Sequence, residues 1–522
     1  MTYFEFGDIL YVVKIWQYTD YCYFNAEEVI LMEGEICLNA NREFGLNKYT
    51  KTEVCGLPTV EELRASLASE SLAARDRIAL LFDDKTFIET GAYTKRSFSD
   101  FLSTENSNEF EGVICGYGAI DGKLVFAFAE DSSRMGGVID DRHAKKIADL
   151  YKLATENGAP VIGIFDSNGT DIFEGTAGLA AYGKIMACVS RASGVIPQIA
   201  FVAGKCIGTA AAIASMFDFV IKSNDAQFYV SSPNVTKLEN AQDATLAFHA
   251  DEVQCAAYIR TLVSFIPDNS SIGVIVSECA DNLNKMLGEL DFSGSALAAI
   301  SVVADNSVYY EIARDFEPSA STVLCTVGGV KCGIVATSFA ENEGKISVSV
   351  ARKIAKFVNF CDAFSLPVVT LVDSLGLAVE EENEKAYFAP ELARLANAYA
   401  TSSVPKITVI LGHAIGASFV LLGSKALGAD LVYATDKSEI GALNAESGVA
   451  FAWDKYITLE KTREELVNEW KATVSSPAIA AASGEIDDII SVNELRARIC
   501  SALLMLSSKG KSTDFRRKVL PL

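Results

Sequence analysis

The chain has 522 residues, enough for two or three hydrophobic cores, and half of its residues are hydrophobic while 22% are charged. Its formal net charge of −23 argues against nucleic acid as a partner and against a basic membrane-surface anchor, because both need clustered lysine and arginine. Three histidines are too few for a histidine-rich metal site, so no metal is expected.

Residues 1–57 precede the repeating pattern described below and are interpreted as an N-terminal extension. They are rich in aromatic residues but have no basic start, and Glu5 and Asp8 come too early for a signal peptide.

The longest uncharged run, residues 407–423, contains glycines that suit a strand, turn and helix better than a membrane span. Twelve dispersed cysteines without a CxxC pair predict reduced, buried thiols. The sequence therefore predicts a cytoplasmic protein with no direct membrane insertion.

An internal repeat with an offset of 207 or 208 residues organises the rest of the chain. Five landmarks keep this offset, among them Asp166 with Asp373 and Gly208 with Gly416. Three pairs of segments correspond: 118–131 with 328–341, 157–169 with 363–376, and 192–208 with 401–416. The period is far too long for a solenoid, so the pattern indicates a duplicated domain.

Each repeat alternates apolar strands with helices, the first long helix being predicted over residues 141–158. Continuous apolar strands between helices indicate parallel α/β layers. We expect one domain over 58–288 and a second over 289–522, with the boundary where DFSGSAL interrupts the pattern.

Two glycine turns, GKCIGTAAAIAS at 204–215 and GHAIGASFVLLG at 412–423, each follow an apolar strand and open a helix. A thioester that becomes an enolate gathers negative charge on its carbonyl oxygen, and backbone N–H groups at a helix start can hold that oxyanion. Small residues let the acyl group approach the backbone closely. The two turns are therefore candidate oxyanion holes, although such glycines can also serve only tight strand–helix packing.

Several segments together resemble one family. EGVICGYGAIDGKLVFAFAEDSSRMGG (111–137), ASGVIPQI (192–199), CDAFSLPVVTLVD (361–373) and the final Pro-Leu are similar to carboxyltransferase subunits of biotin-dependent acyl-CoA carboxylases, the propionyl-CoA carboxylase β type. They are equally similar to the α subunits of sodium-pumping acyl-CoA decarboxylases such as methylmalonyl-CoA decarboxylase. The resemblance begins near Leu63 and implies two tandem crotonase-like (ClpP/crotonase) domains in a homo-oligomer. It implies acyl-CoA bound mainly to the first domain of one subunit and biotin to the second domain of another.

The resemblance also implies a reaction, in which CO2 moves between biotin and the α or vinylogous carbon of a short acyl-CoA. No biotinylation signature is present, so biotin would arrive on a biotin carboxyl carrier protein, with a biotin carboxylase or a membrane decarboxylase subunit as further partner. The implied catalytic residues are Gly208 and Thr209 for the thioester oxygen and Gly416 and Ala417 for the biotin oxygen. The implied substrate-binding residues are Gly136, Gly137, Asn168, Gly169 and Val420, and the implied biotin loop carries Leu375 and Gly376.

Some positions depart from the family pattern. Thr209 replaces a second glycine, the family's DSGGARIQEG reads DSNGTDIFEG at 166–175, and its DxPGFLPGxxQE loop reads DSLGLAVEEENE at 373–384. Two alternatives therefore stay open: a non-catalytic acyl-CoA-binding or scaffold subunit, and a stand-alone crotonase-type lyase or isomerase with Glu174 as acid or base.

Four further side chains near these motifs have both a catalytic or ligand-binding and a structural interpretation. His413 could assist catalysis but is expected to be structural, and Cys206 is expected to be a buried thiol. Lys205 and Arg134 could meet coenzyme A phosphates or could simply be solvated.

Overall fold

The computed structural model describes residues 59–62, 64, 73–95, 110–170, 175–238, 242–279, 281–285, 295–458 and 461–509, together with the backbone of four short strands before residue 39. The chain divides into two units, Met1–Glu70 and Ser71–Leu522. In the first unit, strand Phe4–Phe6 pairs antiparallel with Ile9–Tyr11, and Val29–Met32 with Glu35–Leu38. The predicted extension over 1–57 falls within this unit.

The second unit contains two large sheets, and the first has seven strands. Their spatial order is Phe248–Ala250, Phe219–Ser223, Gln198–Val202, Val161–Phe165, Lys123–Glu130, Val113–Ile120 and Ile88–Thr90. The five strands from Phe248–Ala250 to Lys123–Glu130 are parallel, and the remaining pairings are antiparallel. A separate parallel pair, Lys205–Ile207 with Gln227–Tyr229, follows the end of one central strand. The central strands are buried along their whole length, which explains their continuous apolar sequences.

The second sheet repeats this plan. Its order is Tyr309–Ile312, Ala320–Val327, Val330–Thr337, Val368–Ser374, Lys406–Ile415, Leu431–Thr435 and Asp488–Ile490. Its first two pairings are antiparallel and the rest are parallel. Lys406–Ile415 is one ten-residue strand that corresponds to two strands of the first half, and its far end pairs with Glu439–Gly441.

The helices follow the predicted alternation. In the first half the α-helices are Ala73–Leu81, Asp141–Asn157, Thr176–Ala192, Thr209–Ser215, Pro233–Thr236 and Glu252–Phe265. In the second half they are Ala296–Val303, Val348–Ala363, Glu381–Lys385, Phe388–Thr401, Ala417–Leu421, Ala445–Gly448, Arg463–Thr473, Pro477–Ala482 and Leu495–Leu506. Short 3-10 helices are Met135–Gly137, Asp243–Thr245, Asp305–Ser307, Asn342–Gly344, Asp454–Tyr456 and Val492–Glu494, and Val449–Trp453 is a π-helix. Within the described ranges, every helix is too short or too polar to cross a bilayer.

Capping explains the bounds of the first long helix. The Asp140 carboxylate accepts a hydrogen bond from the His143 N–H at 2.7 Å, which satisfies one of the free amides at the start of the helix. Gly158 ends it in the left-handed conformation, with φ 64°. The helix predicted over 141–158 is therefore confirmed to within one residue.

The predicted fold of two tandem crotonase-like halves is confirmed, because strand order and helix positions recur in both halves. The two halves also share one core: the rings of Phe219 and Phe360, one from each half, meet edge to face with centroids 4.7 Å apart. The predicted boundary between residues 288 and 289 lies outside the described residues, so it stays a prediction.

Candidate active site

The first glycine turn presents a backbone amide at the surface. Gly208 has φ 60° and ψ −123°, and a Cβ placed there would find no other atom within 4 Å. Its own N–H is already used, because it donates to the Tyr229 carbonyl at 2.9 Å. Thr209 begins the helix Thr209–Ser215, and within the described chain its N–H has no hydrogen-bond acceptor. The amide that this turn offers to a ligand is therefore that of Thr209.

The second turn has the same geometry. Gly416 has φ 59° and ψ −132°, and its N–H donates to the Gly441 carbonyl at 2.8 Å. Ala417 begins the next helix, and its N–H likewise finds no acceptor in the part of the chain that the structure describes. A Cβ on Gly416 would have only the Ala442 carbonyl oxygen nearby, at 3.4 Å. Each turn thus offers one amide, with a glycine before it in a conformation that side chains rarely adopt.

The predicted substrate-binding residues of the first half lie together. The Asn168 N–H donates to the Gly136 carbonyl at 2.9 Å, and the Ile139 N–H donates to the Gly169 carbonyl at 2.8 Å. A Cβ on Gly136 would lie 2.2 Å from Asn168 Nδ2, and one on Gly137 would lie 2.5 Å from a backbone oxygen. These glycines therefore allow two loops to pack directly on each other. Asn168, which replaces a family glycine, is exposed and accepts a hydrogen bond from Lys205 Nζ at 3.0 Å.

The predicted biotin loop repeats these contacts in the second half. The Leu375 N–H donates to the Glu343 carbonyl at 3.1 Å, and the Ile346 N–H donates to the Gly376 carbonyl at 2.9 Å. Val420 lies in the helix that follows the second turn and is 47% exposed. Leu375 and Gly376 therefore occupy the positions in the second half that Asn168 and Gly169 occupy in the first half.

The other candidate side chains have structural partners or lie elsewhere. Cys206 is buried, and burial raises the pKa of its thiol well above the ordinary value, which confirms a buried thiol. His413 lies against Asp373, with its Nδ1 2.8 Å from the carboxylate oxygen Oδ1. Arg134 donates to the Glu111 carbonyl at 3.0 Å. Glu174 lies outside the described residues. Among the side chains that are described, no acid, cysteine and histidine cluster could hold a metal ion.

Sequence reasoning used Asp166 and Asp373 only as landmarks of the repeat, yet both carboxylates contact the glycine turns. Asp166 accepts the Lys205 N–H at 3.1 Å, and Asp373 accepts the His413 N–H at 2.8 Å. Their position, at the carboxyl end of a buried strand in both halves, was the available signal.

A buried glutamate lies behind the first of these aspartates. Glu130 Oε2 accepts the Asp166 N–H at 3.1 Å, and burial raises the pKa of the Glu130 carboxyl to about 8. In the second half the Thr337 hydroxyl has the role of Glu130 and accepts a hydrogen bond from the Asp373 N–H at 2.8 Å. Glu130 is 1% exposed, so its contacts are with the protein interior.

Comparison with known proteins supports this description. The carboxyl transferase domain model matches residues 66–519. The methylmalonyl-CoA decarboxylase α subunit of Veillonella parvula is 32% identical over 471 residues, which cover 85% of this chain and 92% of that protein. The propionyl-CoA carboxylase β chain of Cereibacter sphaeroides is 31% identical over 473 residues, with the same coverage of 85% and 92%.

A solved structure has the same fold. The transcarboxylase 12S core, solved as a hexamer with methylmalonyl-coenzyme A and methylmalonic acid bound, superimposes with a TM-score of 0.79 at 28% identity. The match covers 88% of this chain and 94% of the other. The predictions of the family, of the fold and of a carboxyltransferase enzyme are confirmed: the chain belongs to the carboxyl transferase family.

Proposed function

We propose that this protein moves CO2 between biotin, carried on a separate biotin carboxyl carrier protein, and a short carboxylated acyl-CoA of the malonyl or methylmalonyl type. The observation that carries the proposal is the pair of matched glycine turns. Each places one amide, that of Thr209 or Ala417, at the start of a helix and next to a glycine with positive φ, and neither amide has an acceptor among the described residues. A reaction in which negative charge develops on two carbonyl oxygens needs two such donors.

In this mechanism the Thr209 N–H donates to the thioester oxygen. When the bond between the α carbon and the carboxylate carbon breaks, its electron pair passes into the thioester and becomes enolate charge on that oxygen. The amide is fixed by the turn before the reaction starts, so it stabilises the charge without reorganising. Removing such a donor typically costs about 3–4 kcal/mol in the barrier.

The second turn fits the ureido carbonyl of biotin, because no described residue accepts the Ala417 N–H and few described atoms surround Gly416. When bound, biotin supplies a ureido nitrogen that takes up or releases CO2. The Ala417 N–H would hold the ureido oxygen where charge develops as that nitrogen loses its proton, and this proton would end on the α carbon of the acyl group. No side-chain nucleophile is required by this scheme, so the buried Cys206 thiol plays no part in it.

We further propose that the working protein is a homo-oligomer, with the first half of one subunit facing the second half of another. The similarity to a transcarboxylase core solved as a hexamer supports this. A biotin carboxylase or a membrane decarboxylase subunit would be the further partner, and the relatives' names, which describe an α subunit and a β chain, support an enzyme of several subunits. The nine described cysteines are free thiols, and we place the protein in the cytoplasm, which keeps thiols reduced.

The proposal is tested with purified protein, methylmalonyl-CoA or malonyl-CoA, and free biotin present or absent. Loss of the carboxylated thioester is followed by chromatography, and we expect it to depend on biotin. Loss without biotin would favour a stand-alone lyase or isomerase. Binding of the CoA ester in a thermal-shift assay without any turnover would favour a non-catalytic subunit.

Three glycine variants show whether the two turns act. Gly208→Ala and Gly416→Ala force a side chain into positive φ at each turn, and we expect both to lower turnover. Gly122→Ala is the matched control, because Gly122 also has positive φ, 77°, and open space around it. It lies in the hairpin that precedes Lys123–Glu130, at the opposite end of the parallel strands from the first turn. Equal turnover losses in all three variants would contradict the assigned role of the turns.

A further inference from the structure

One buried carboxylate contacts the first glycine turn from within the protein. Asp166 follows the strand Val161–Phe165 and is 6% exposed. Its Oδ1 accepts the Lys205 N–H at 3.1 Å, three residues before Gly208. Its Oδ2 accepts hydrogen bonds from Arg77 Nη1 and from the Ser132 hydroxyl, both at 2.8 Å. Both oxygens of Asp166 are therefore occupied, one by the turn and the other by a cation and a hydroxyl.

The second half has the same arrangement with different partners. Asp373 lies near the end of the strand Val368–Ser374 and is 8% exposed. Its Oδ1 accepts the His413 N–H at 2.8 Å, and Nδ1 of the same histidine lies 2.8 Å from that oxygen. The imidazole is stacked on Phe339, with ring centroids 4.8 Å apart and planes inclined by 23°. Thus the second half has the His413 imidazole on Oδ1, whereas the first half has Arg77 and Ser132 on Oδ2.

The approach between carboxylate and turn is so close that only glycine fits. A Cβ on Gly204 would lie 2.0 Å from Asp166 Oδ1, and a Cβ on Gly412 would lie 2.5 Å from Asp373 Oδ1. Neither carboxylate can therefore move closer to its turn without displacing it. The position of Lys205 also fixes the Thr209 amide, because the strand Lys205–Ile207 pairs with Gln227–Tyr229 and leads directly to Gly208.

We propose that Asp166 and Asp373 are positioning residues that fix the Thr209 and Ala417 amides through the backbone N–H groups of Lys205 and His413. Arg77 holds the Asp166 carboxylate, and the His413 imidazole holds that of Asp373. The inference rests on the proposed function for the identity of the two ligands. A permanent cation pairs with the first carboxylate, since Arg77 lies 2.8 Å from Asp166. Arg77 also reaches Glu252, at 3.1 Å, and the Ala203 carbonyl, at 3.3 Å. The two halves thus hold equivalent donors by different electrostatics.

The test replaces each aspartate by asparagine, which keeps the shape and removes the charge. Asp166→Asn should lower kcat/KM for the acyl-CoA, and Asp373→Asn should lower kcat/KM for free biotin. A displacement of the order of 1 Å at a reacting group costs about 100-fold, so we expect losses approaching that size. Arg77→Lys, which restores a cation, should recover part of the activity that Arg77→Met loses.

Matched controls come from aspartates near the beginning of the two strands that lead into the glycine turns, Gln198–Val202 and Lys406–Ile415. Asp218 accepts the Gln198 N–H at 2.8 Å where Gln198–Val202 begins, and Asp362 accepts the Ser403 N–H at 2.6 Å shortly before Lys406–Ile415. Asp362→Asn changes a comparably buried carboxyl group, and Asp218→Asn changes a buried carboxyl group whose pKa burial raises to about 7. If they lowered the two kcat/KM values as much as Asp166→Asn and Asp373→Asn at matched thermal stability, the positioning role would be overturned.

Hydrogen–deuterium exchange separates this inference from the proposed function. Peptides covering 204–215 should exchange faster in Asp166→Asn, and peptides covering 412–423 faster in Asp373→Asn, each without change in the other turn. This result would support positioning even if the wild-type protein showed no biotin-dependent turnover, in which case only the proposed function fails. Unchanged exchange in both turns would overturn the inference whatever the activity.

Discussion

Adding one methyl group at Gly204 should disable the first turn without touching any ligand. The new Cβ would lie 2.0 Å from Asp166 Oδ1, whereas real Cβ atoms essentially never approach other heavy atoms below 3.0 Å. The carboxylate and the turn must therefore separate by at least about 1 Å. Arg77 and Ser132 hold the carboxylate, so the turn should move. A shift of this size costs about 100-fold in kcat, equivalent to about 2.7 kcal/mol in the barrier.

The assay is the kcat of biotin-dependent methylmalonyl-CoA loss, with two controls. Gly183→Ala adds a methyl group to the helix Thr176–Ala192, at a point where no described atom beyond the neighbouring residues and the backbone of that helix lies within 4 Å of the new Cβ. It should leave kcat unchanged while stabilising the protein by about 0.5–1 kcal/mol. Gly412→Ala should cost less than Gly204→Ala, because its Cβ would start 2.5 Å from the carboxylate. A Gly204→Ala protein with wild-type kcat would refute the reasoning.

Three further predictions use other parts of the molecule. Thr209→Ala should keep most of the activity, because the amide rather than the hydroxyl is the proposed donor, and kcat with saturating substrates measures this. Burial raises the pKa of Glu130 from 4.5 to about 8, so the folded protein holds that proton more tightly than the unfolded chain. The free energy of unfolding should therefore fall as pH rises from about 4.5 to 8, and urea denaturation of Glu130→Gln should lack this component. Arg496→Met leaves Asp305 without the guanidinium 2.6 Å away, and urea denaturation should show a loss of about 3–5 kcal/mol.

The repeat and its glycine turns could be predicted because they depend on local patterns. Asp166 with Asp373 and Gly208 with Gly416 keep their spacing in the sequence, and the structure gives each pair equivalent backbone contacts. The amide that each turn leaves available could not be predicted, since it depends on pairing between distant strands. Gly208 is engaged by Tyr229, and Gly416 by Gly441.

The side chains that contact the buried aspartates could not be predicted from the sequence either. Arg77 precedes Asp166 by 89 positions and is brought there by the packing of helix Ala73–Leu81 rather than by a motif. In the sequence Glu130 is an ordinary carboxylate at the end of a strand. Its pKa is raised in the folded state, mainly by burial and further by the nearby Asp166 carboxylate. The sequence led us to expect a structural role for His413, and the structure identifies Asp373 as the partner of its imidazole.

The edge-to-face contact of Phe219 and Phe360 has a consequence for how the two halves can exist. Their common core makes each half the permanent partner of the other, as in a dimer whose two subunits have been joined. A tether replaces association between molecules by a high effective concentration, so the pairing does not weaken on dilution. Either half expressed alone would present those aromatic side chains to water, and we expect it to aggregate or to seek the missing half.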